Sequence, residues 1–393
     1  MKVTAIASAL LMAITAPLLA QSDLDSLLVS VNANNKQLKA ARQYSVTAGR
    51  DYATGLTLPD PFVEYDYLSG GPETAGPLQE LKVTQSFDFP TVYGKRKQLA
   101  ELQGELSLSG YDVQRQDILS EARELYLKAV YQRRNLQWLE KRKQETEVNL
   151  NAFERRLNAG EGNILDVNKA RLQLIAIGQK HSKAVTELEV TLLKLKELNG
   201  GIAPAINDWV YPETTALPEF ETLEKEYEER DPHRIRLEKE RQVAAKQQEL
   251  SKSLWWPRME VGYRYEDTPG QSFNGIHTGI TIPLWQHRNT VKKDEQLLLY
   301  TGLELESHLS EHYHQLKANY EEYLQLSKAL EEYNKVFAGG SVTQLLSKAL
   351  AAGQIDASEY FQETSFYDSA YIDYLESELR LHLVMNELFK YKL

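Results

Sequence analysis

Cysteine is absent from the 393-residue chain. That removes disulfides, thiolate metal sites and thiol nucleophiles together, and with them any lipid anchor on an N-terminal cysteine. Long apolar runs are also missing: beyond residue 20, none approaches the roughly 20 apolar residues that a membrane helix needs. If the mature chain enters a membrane, it must do so as strands of a closed barrel. Positive charge is in short supply too. The 45 Lys and Arg against 56 Asp and Glu leave a net charge of −11, the wrong sign for a nucleic-acid partner. There is no GxSxG, HExxH or glycine-rich phosphate loop, and no catalytic constellation is assigned. Eight histidines are scattered, apart from the group His308, Glu311, His312 and His314. His308 and His312 stand one helical turn apart, a spacing open to a metal in principle, but a solvated helix face explains them as well. No metal or cofactor is expected.

The N-terminus opens Met1-Lys2, stays apolar from Val3 to Ala20 and turns polar at Gln21-Ser22-Asp23. This is a secretory signal peptide over residues 1–20, with cleavage after Ala20. The competing reading, a transmembrane anchor, has a barely sufficient span and no basic flank. Loss of Lys2 leaves a mature charge of −12.

The chain is written twice. Repeat 1 covers residues 21–199, a linker rich in Gly, Pro and Ala covers 200–218, and repeat 2 covers 219–393. Each repeat reads as a helical segment, two short strands, a very long helix, a glycine turn and a return helix. The expected bounds in repeat 1 are strands at 60–69 and 78–89, a long helix at 91–157 and a return helix at 164–198. In repeat 2 they are strands at 256–266 and 273–282, a long helix at 284–350 and a return helix at 357–393. The turns Leu157-Asn158-Ala159-Gly160-Glu161 and Leu350-Ala351-Ala352-Gly353-Gln354 lie 193 residues apart, the same spacing that separates Pro90 from Pro283. The two long helices are therefore expected to match in length.

The strands alternate. Val63, Tyr65 and Tyr67 oppose Glu64 and Asp66, and Met259, Val261, Tyr263 and Tyr265 oppose Arg258, Glu260, Arg264 and Glu266. Length and dyad pattern are those of outer-membrane strands, with Val63, Tyr65, Tyr67, Met259, Val261, Tyr263 and Tyr265 expected to face lipid. Gly70-Gly71-Pro72-Glu73 and Asp267-Thr268-Pro269-Gly270 are the expected hairpin tips. A soluble pair of hairpins packed on helices is the plainer alternative. Four strands cannot close a barrel, since the smallest membrane barrels use about eight, so a membrane reading requires several chains to share one. Each long helix, about 67 residues without an interior proline, would reach about 100 Å and pack as a coiled coil.

This layout resembles the TolC family of outer-membrane factors over nearly all of the mature chain. The most specific stretches are Leu157 to Val167 and Leu350 to Tyr360, where Gly160 and Gly353 are each followed six residues later by an acid, Asp166 and Glu359. The resemblance implies a mainly α fold with a membrane β-barrel portion: a homotrimer with one twelve-stranded barrel and a periplasmic α-helical tunnel. It further implies an outer-membrane location with a periplasmic extension, a periplasmic adaptor (membrane fusion protein) and an inner-membrane pump such as a resistance-nodulation-division transporter. Passive export of drugs or heavy-metal cations follows, with no enzyme activity. The hairpin tips would form the aperture, from Gly160, Asp166, Leu350, Gly353, Ile355 and Glu359. Leu350 and Ile355 stand where TolC-type gates carry a tyrosine and an arginine, so an apolar constriction replaces the hydrogen-bonded lock. A soluble periplasmic coiled-coil scaffold or adaptor is the alternative of a different class, although no lipoyl-like stretch is present.

Overall fold

The computed structural model describes residues 23–70, 76–213, 216–337 and 342–393. The expected signal peptide, most of the expected tip Gly70-Gly71-Pro72-Glu73, two residues of the linker and residues 338–341 lie outside the described residues.

Two short helices open each repeat: α1 (Asp23–Asn34) and α2 (Lys36–Tyr52), then α5 (Phe220–Arg230) and α6 (Pro232–Ser253). Each pair is broken at one capping residue. The Asn35 side chain accepts from the Leu38 N–H at 3.0 Å, and the Asp231 carboxylate accepts from the Arg234 N–H at 2.9 Å. These caps satisfy N–H groups that a helix start leaves unpaired. Asn35 and Asp231 are 196 residues apart, the offset that also separates Pro61 from Pro257.

After the opening helices come β1 (Phe62–Leu68) and β2 (Leu78–Phe87) in repeat 1, and β3 (Arg258–Thr268) and β4 (Gln271–Thr281) in repeat 2. They form one antiparallel sheet in the order β1-β2-β3-β4, so the repeats are joined through β2 and β3. Thr268 pairs with Gln271 across a two-residue turn, in which Pro269 presets φ and Gly270 takes a φ of 97°, a value that favours glycine.

Pro90 then starts α3 (Pro90–Asn158), a helix of 69 residues that reaches about 100 Å. The return helix is α4 (Ile164–Leu198). In repeat 2 the expected helix over 284–350 is corrected. Residues 284–289 form turns instead, closed by Arg288 N–H to Trp285 O at 3.0 Å and Thr290 N–H to His287 O at 3.2 Å. Asn289 has a φ of 68°, a left-handed conformation that Asn tolerates and that cannot continue a right-handed helix. The described helical parts are α7 (Thr290–Phe337) and α8 (Val342–Ala351). Among the described residues the first long helix runs 69 residues without a break, and the longest described run of the second is 48. The second return helix, α9 (Ala357–Leu388), ends five residues before the expected bound, in a 3₁₀ turn at Lys390–Lys392.

Four apolar clusters run along the bundle. One is built from α1, α3 and α4 around Leu27, Val31, Ala122, Val130 and Leu195. Another joins α5, α7 and α9 through Leu223, Leu316 and Leu388. A third sits under the glycine turns, from Phe153, Val167, Ala170 and Ala357. The fourth, Val92, Leu99 and Leu250, seats the start of α3 on the end of α6 next to the sheet.

Candidate functional site

Two regions carry the predicted site residues, at opposite ends of the helices. In the sheet, backbone register sets the rows. Val63, Val83, Tyr263 and Ile276 pair in succession across the four strands, and Tyr65, Leu81 and Tyr265 form the next row. Because side chains alternate along a strand, this places Val63, Tyr65, Tyr67, Met259, Val261, Tyr263 and Tyr265 on one face. All are exposed except Met259, which is half-buried between its row neighbours Phe87 and Ile280. Val63, Tyr65 and Tyr67 remain about 60% exposed, a large apolar and aromatic surface left uncovered by the chain itself.

The opposite face is charged. Arg264 lies 2.6 Å from Glu80 and 3.4 Å from Glu266, and His277 lies 3.3 Å from Glu260. Gly262 sits in this face because a Cβ there would lie 2.3 Å from the Val83 carbonyl oxygen. Among the described residues, β1 and β4 each have one edge without a partner strand.

At the far end, the two glycine turns close in the same way. Gly160 has a φ of 79°, with its N–H donating to Leu157 O at 3.0 Å and the Glu161 N–H to Arg156 O at 2.9 Å. Gly353 has a φ of 69°, with its N–H donating to Leu350 O at 3.1 Å and the Gln354 N–H to Ala349 O at 2.9 Å. Both are Schellman motifs, which use a left-handed glycine to satisfy the last carbonyls of a helix.

The fold brings the two turns to one cavity of about 600 Å³, which Gly160, Asp166, Leu350, Gly353 and Ile355 line. Glu359 is not part of that lining. It is exposed, and its N–H donates to the Asp356 carboxylate at 2.8 Å. Leu350 packs on the apolar cluster beneath the turns, and Ile355 is half-buried.

Sequence reasoning passed over Arg156, Glu161 and Asp356, which line the same cavity. Asp356 was findable: Asp356-Ala357-Ser358-Glu359 has the spacing of a helix cap followed by an acid three residues on. With Asp166, these residues give the cavity three carboxylates and one guanidinium.

Between tip and sheet, polar contacts tie the two hairpins. The Asn149 side-chain amide donates to the Tyr360 hydroxyl at 2.7 Å, and Lys169 Nζ donates to Ser358 Oγ at 3.2 Å. Arg142, only 2% exposed, pairs with Glu145 and lies 2.8 Å from Asp368, a contact that lacks hydrogen-bond alignment. Burial pushes the Asp368 carboxyl above the usual range, against the opposing pull of Arg142. Of the histidine group, His308 lies 3.6 Å from buried Asp231, and the His312 ring packs at a tilt on Tyr227, centroids 3.8 Å apart. Burial lowers the His312 pKa. Among the described residues, no group of three or more His, Asp or Glu is placed to hold a metal.

A four-stranded sheet with two open edges, one apolar face and one charged face, together with helices of this reach, matches the fold of solved TolC-like outer-membrane channels. A membrane protein from Pseudomonas aeruginosa superposes with a TM-score of 0.78 at 12% identity, covering 94% of this chain and 90% of that one. CusC, described in connection with transmembrane channel formation, superposes at 0.77 and 14% identity, over 94% and 91% of the two chains. The open state of the Neisseria gonorrhoeae MtrE outer membrane channel gives 0.72 and 13% identity, over 94% and 88%. At such identities the likeness is one of fold. Residues 80–201, which hold most of β2 with α3 and α4, match the family model described as outer membrane efflux protein. By that partial match and this fold, the chain is similar to the TolC-like outer membrane efflux proteins. No curated protein matches the sequence significantly.

Proposed function

We propose that three copies of this chain form the exit duct of a tripartite efflux or secretion system, conducting passively across the outer membrane. The observation that carries the reading is the sheet: one face apolar and exposed, the other charged, with β1 and β4 open. Exposed strand edges call for partners, and unpaired backbone groups are not tolerated in hydrocarbon. Pairing β1 of one copy with β4 of the next satisfies every edge once the ring closes, and three copies give twelve strands. The apolar face then meets lipid and the charged face lines a water-filled lumen.

The helices carry that lumen into the periplasm and end at the two Schellman turns. There Asp166, Leu350, Ile355, Gly160 and Gly353 form the aperture, with Glu359 on its flank. A half-buried Ile355 and a packed Leu350 support an apolar constriction, and the carboxylates around them favour cations. Energy and substrate come from an inner-membrane pump, of the resistance-nodulation-division type or another, through a periplasmic adaptor. The substrate would be drugs or heavy-metal cations. The chain carries out no chemistry of its own.

The test is to export the chain in a Gram-negative host, extract the outer membrane and reconstitute the protein in a planar bilayer. Trimers giving discrete conductance steps are expected. A water-soluble monomer that leaves the bilayer silent would overturn the proposal.

A further inference from the structure

The chain is acidic overall, yet its charge reverses where the sheet meets the helices. Segments at three of the four junctions between sheet and helices, residues 88–97, 252–258 and 284–293, together hold eight Lys and Arg against a single acid, Asp88. The same segments contain Trp255, Trp256 and Trp285, three of the five tryptophans.

The fold gathers these segments into one collar. Arg258 pairs with Thr281 at the end of the sheet, setting 252–258 beside 284–293. Phe89 stacks on Trp256 at 4.9 Å, and Lys95 Nζ donates to the Glu249 carbonyl at 3.1 Å, bringing in 88–97. Ser251 hydrogen-bonds to the buried Asp294, locking the end of α6 to the start of α7.

Within the collar some charges are answered. Arg96 and Arg258 share Asp88 at 2.7 and 3.1 Å, and Lys293 pairs with Asp294 at 2.9 Å. Lys252, Arg288 and Lys292 are exposed and make no ion pair among the described residues. Trp256 and Trp285 are 56% and 76% exposed. Unpaired cations beside exposed indole rings, at the edge of an apolar sheet face, match a surface that is apolar on one side and anionic on the other. Tryptophan settles at headgroup depth, and Lys and Arg just beyond it are drawn to anionic lipid.

We propose that this collar binds the headgroups of anionic phospholipids in the periplasmic leaflet, with Lys252, Arg288 and Lys292 as the phosphate-facing cations and Trp256 and Trp285 as the interfacial anchors. The inference rests on the outer-membrane reading above.

The experiment places the full mature protein in nanodiscs of equimolar phosphatidylglycerol and phosphatidylethanolamine, and identifies the lipids it retains by native mass spectrometry. Severalfold enrichment of phosphatidylglycerol is expected, lost in K252Q/R288Q/K292Q and kept in K180Q/K183Q/K194Q, which removes three cations from the exposed face of α4. If the collar variant does not fold, wild-type retention in high salt decides: enrichment that screens away supports the site, and enrichment indifferent to salt overturns it. No enrichment in the wild type, or unchanged enrichment in the collar variant, also overturns it. A protein that conducts without lipid preference sinks the collar alone, whereas one that never enters a bilayer sinks the channel reading with it.

Discussion

Gly160 and Gly353 stand 193 residues apart in the chain, share a left-handed backbone conformation and line the same cavity. The two repeats therefore end in the same place and for the same reason. Each helix needs a residue that reverses the chain without a Cβ clash, and the two reversals line that cavity together.

Substituting Gly160 or Gly353 by alanine should cost about 1 kcal/mol each, because space is free around both and only the positive φ resists. Gly162→Ala should cost more, since its Cβ would lie 2.6 Å from the Leu157 backbone nitrogen. Hydrogen exchange checks the first pair: the Glu161 and Gln354 amides, bonded to Arg156 and Ala349, should lose protection ahead of the helix bodies.

Asp368→Asn should destabilise the hairpin packing by about 3 kcal/mol, the low end for breaking a buried pair, because Glu145 still attends Arg142. Replacing both partners, as in R142M/D368L, should recover most of that loss. Denaturant titration of the two variants separates a stranded charge from lost packing.

His382 gives the pH dependence. It is 7% exposed and stacked on Tyr211, and burial, aided by Arg134, lowers its pKa to about 4. The unfolded chain then binds more protons between pH 6.5 and 4, so stability falls as pH falls through that window, by up to about 3 kcal/mol from this group. Unfolding midpoints across the window should flatten in His382→Gln.

On the sheet, Tyr263→Lys should weaken membrane assembly by about 2–4 kcal/mol if it lies near mid-bilayer. Lys82→Gln, on the charged face, should leave assembly intact and alter conductance. Outer-membrane yield and single-channel current read the two effects separately.

At the aperture, Asp166→Asn should lower cation preference more than Glu359→Gln, because Asp166 lines the cavity and Glu359 does not. Reversal potentials in asymmetric salt measure this. Equal shifts in the two variants would show that the ring sits elsewhere.

Much of this architecture was legible. The alternation of Val63, Tyr65 and Tyr67 with Glu64 and Asp66 dictates a two-faced strand, since side chains repeat every two residues. The left-handed glycines at 160 and 353 were visible as turns at one spacing. The interruption after Pro283 was not. Leu284 to Asn289 holds no proline or glycine, and only the φ of Asn289 ends the helical pattern there. The caps at Asn35 and Asp231 were within reach, but a single polar residue inside a helical stretch reads as solvent-facing until its bond to the third residue on is seen.

Local periodicity, capping chemistry and the doubled order of signals belong to the sequence, because each is set by forces acting within a few residues. Which distant groups meet was decided by packing alone. Arg142 with Asp368, the two glycine turns around one cavity and three basic junctions in one collar all depend on where long helices lie against each other. A helix of 69 residues carries its ends about 100 Å apart, so neighbours at each end are chosen by the fold and not by nearness in the chain.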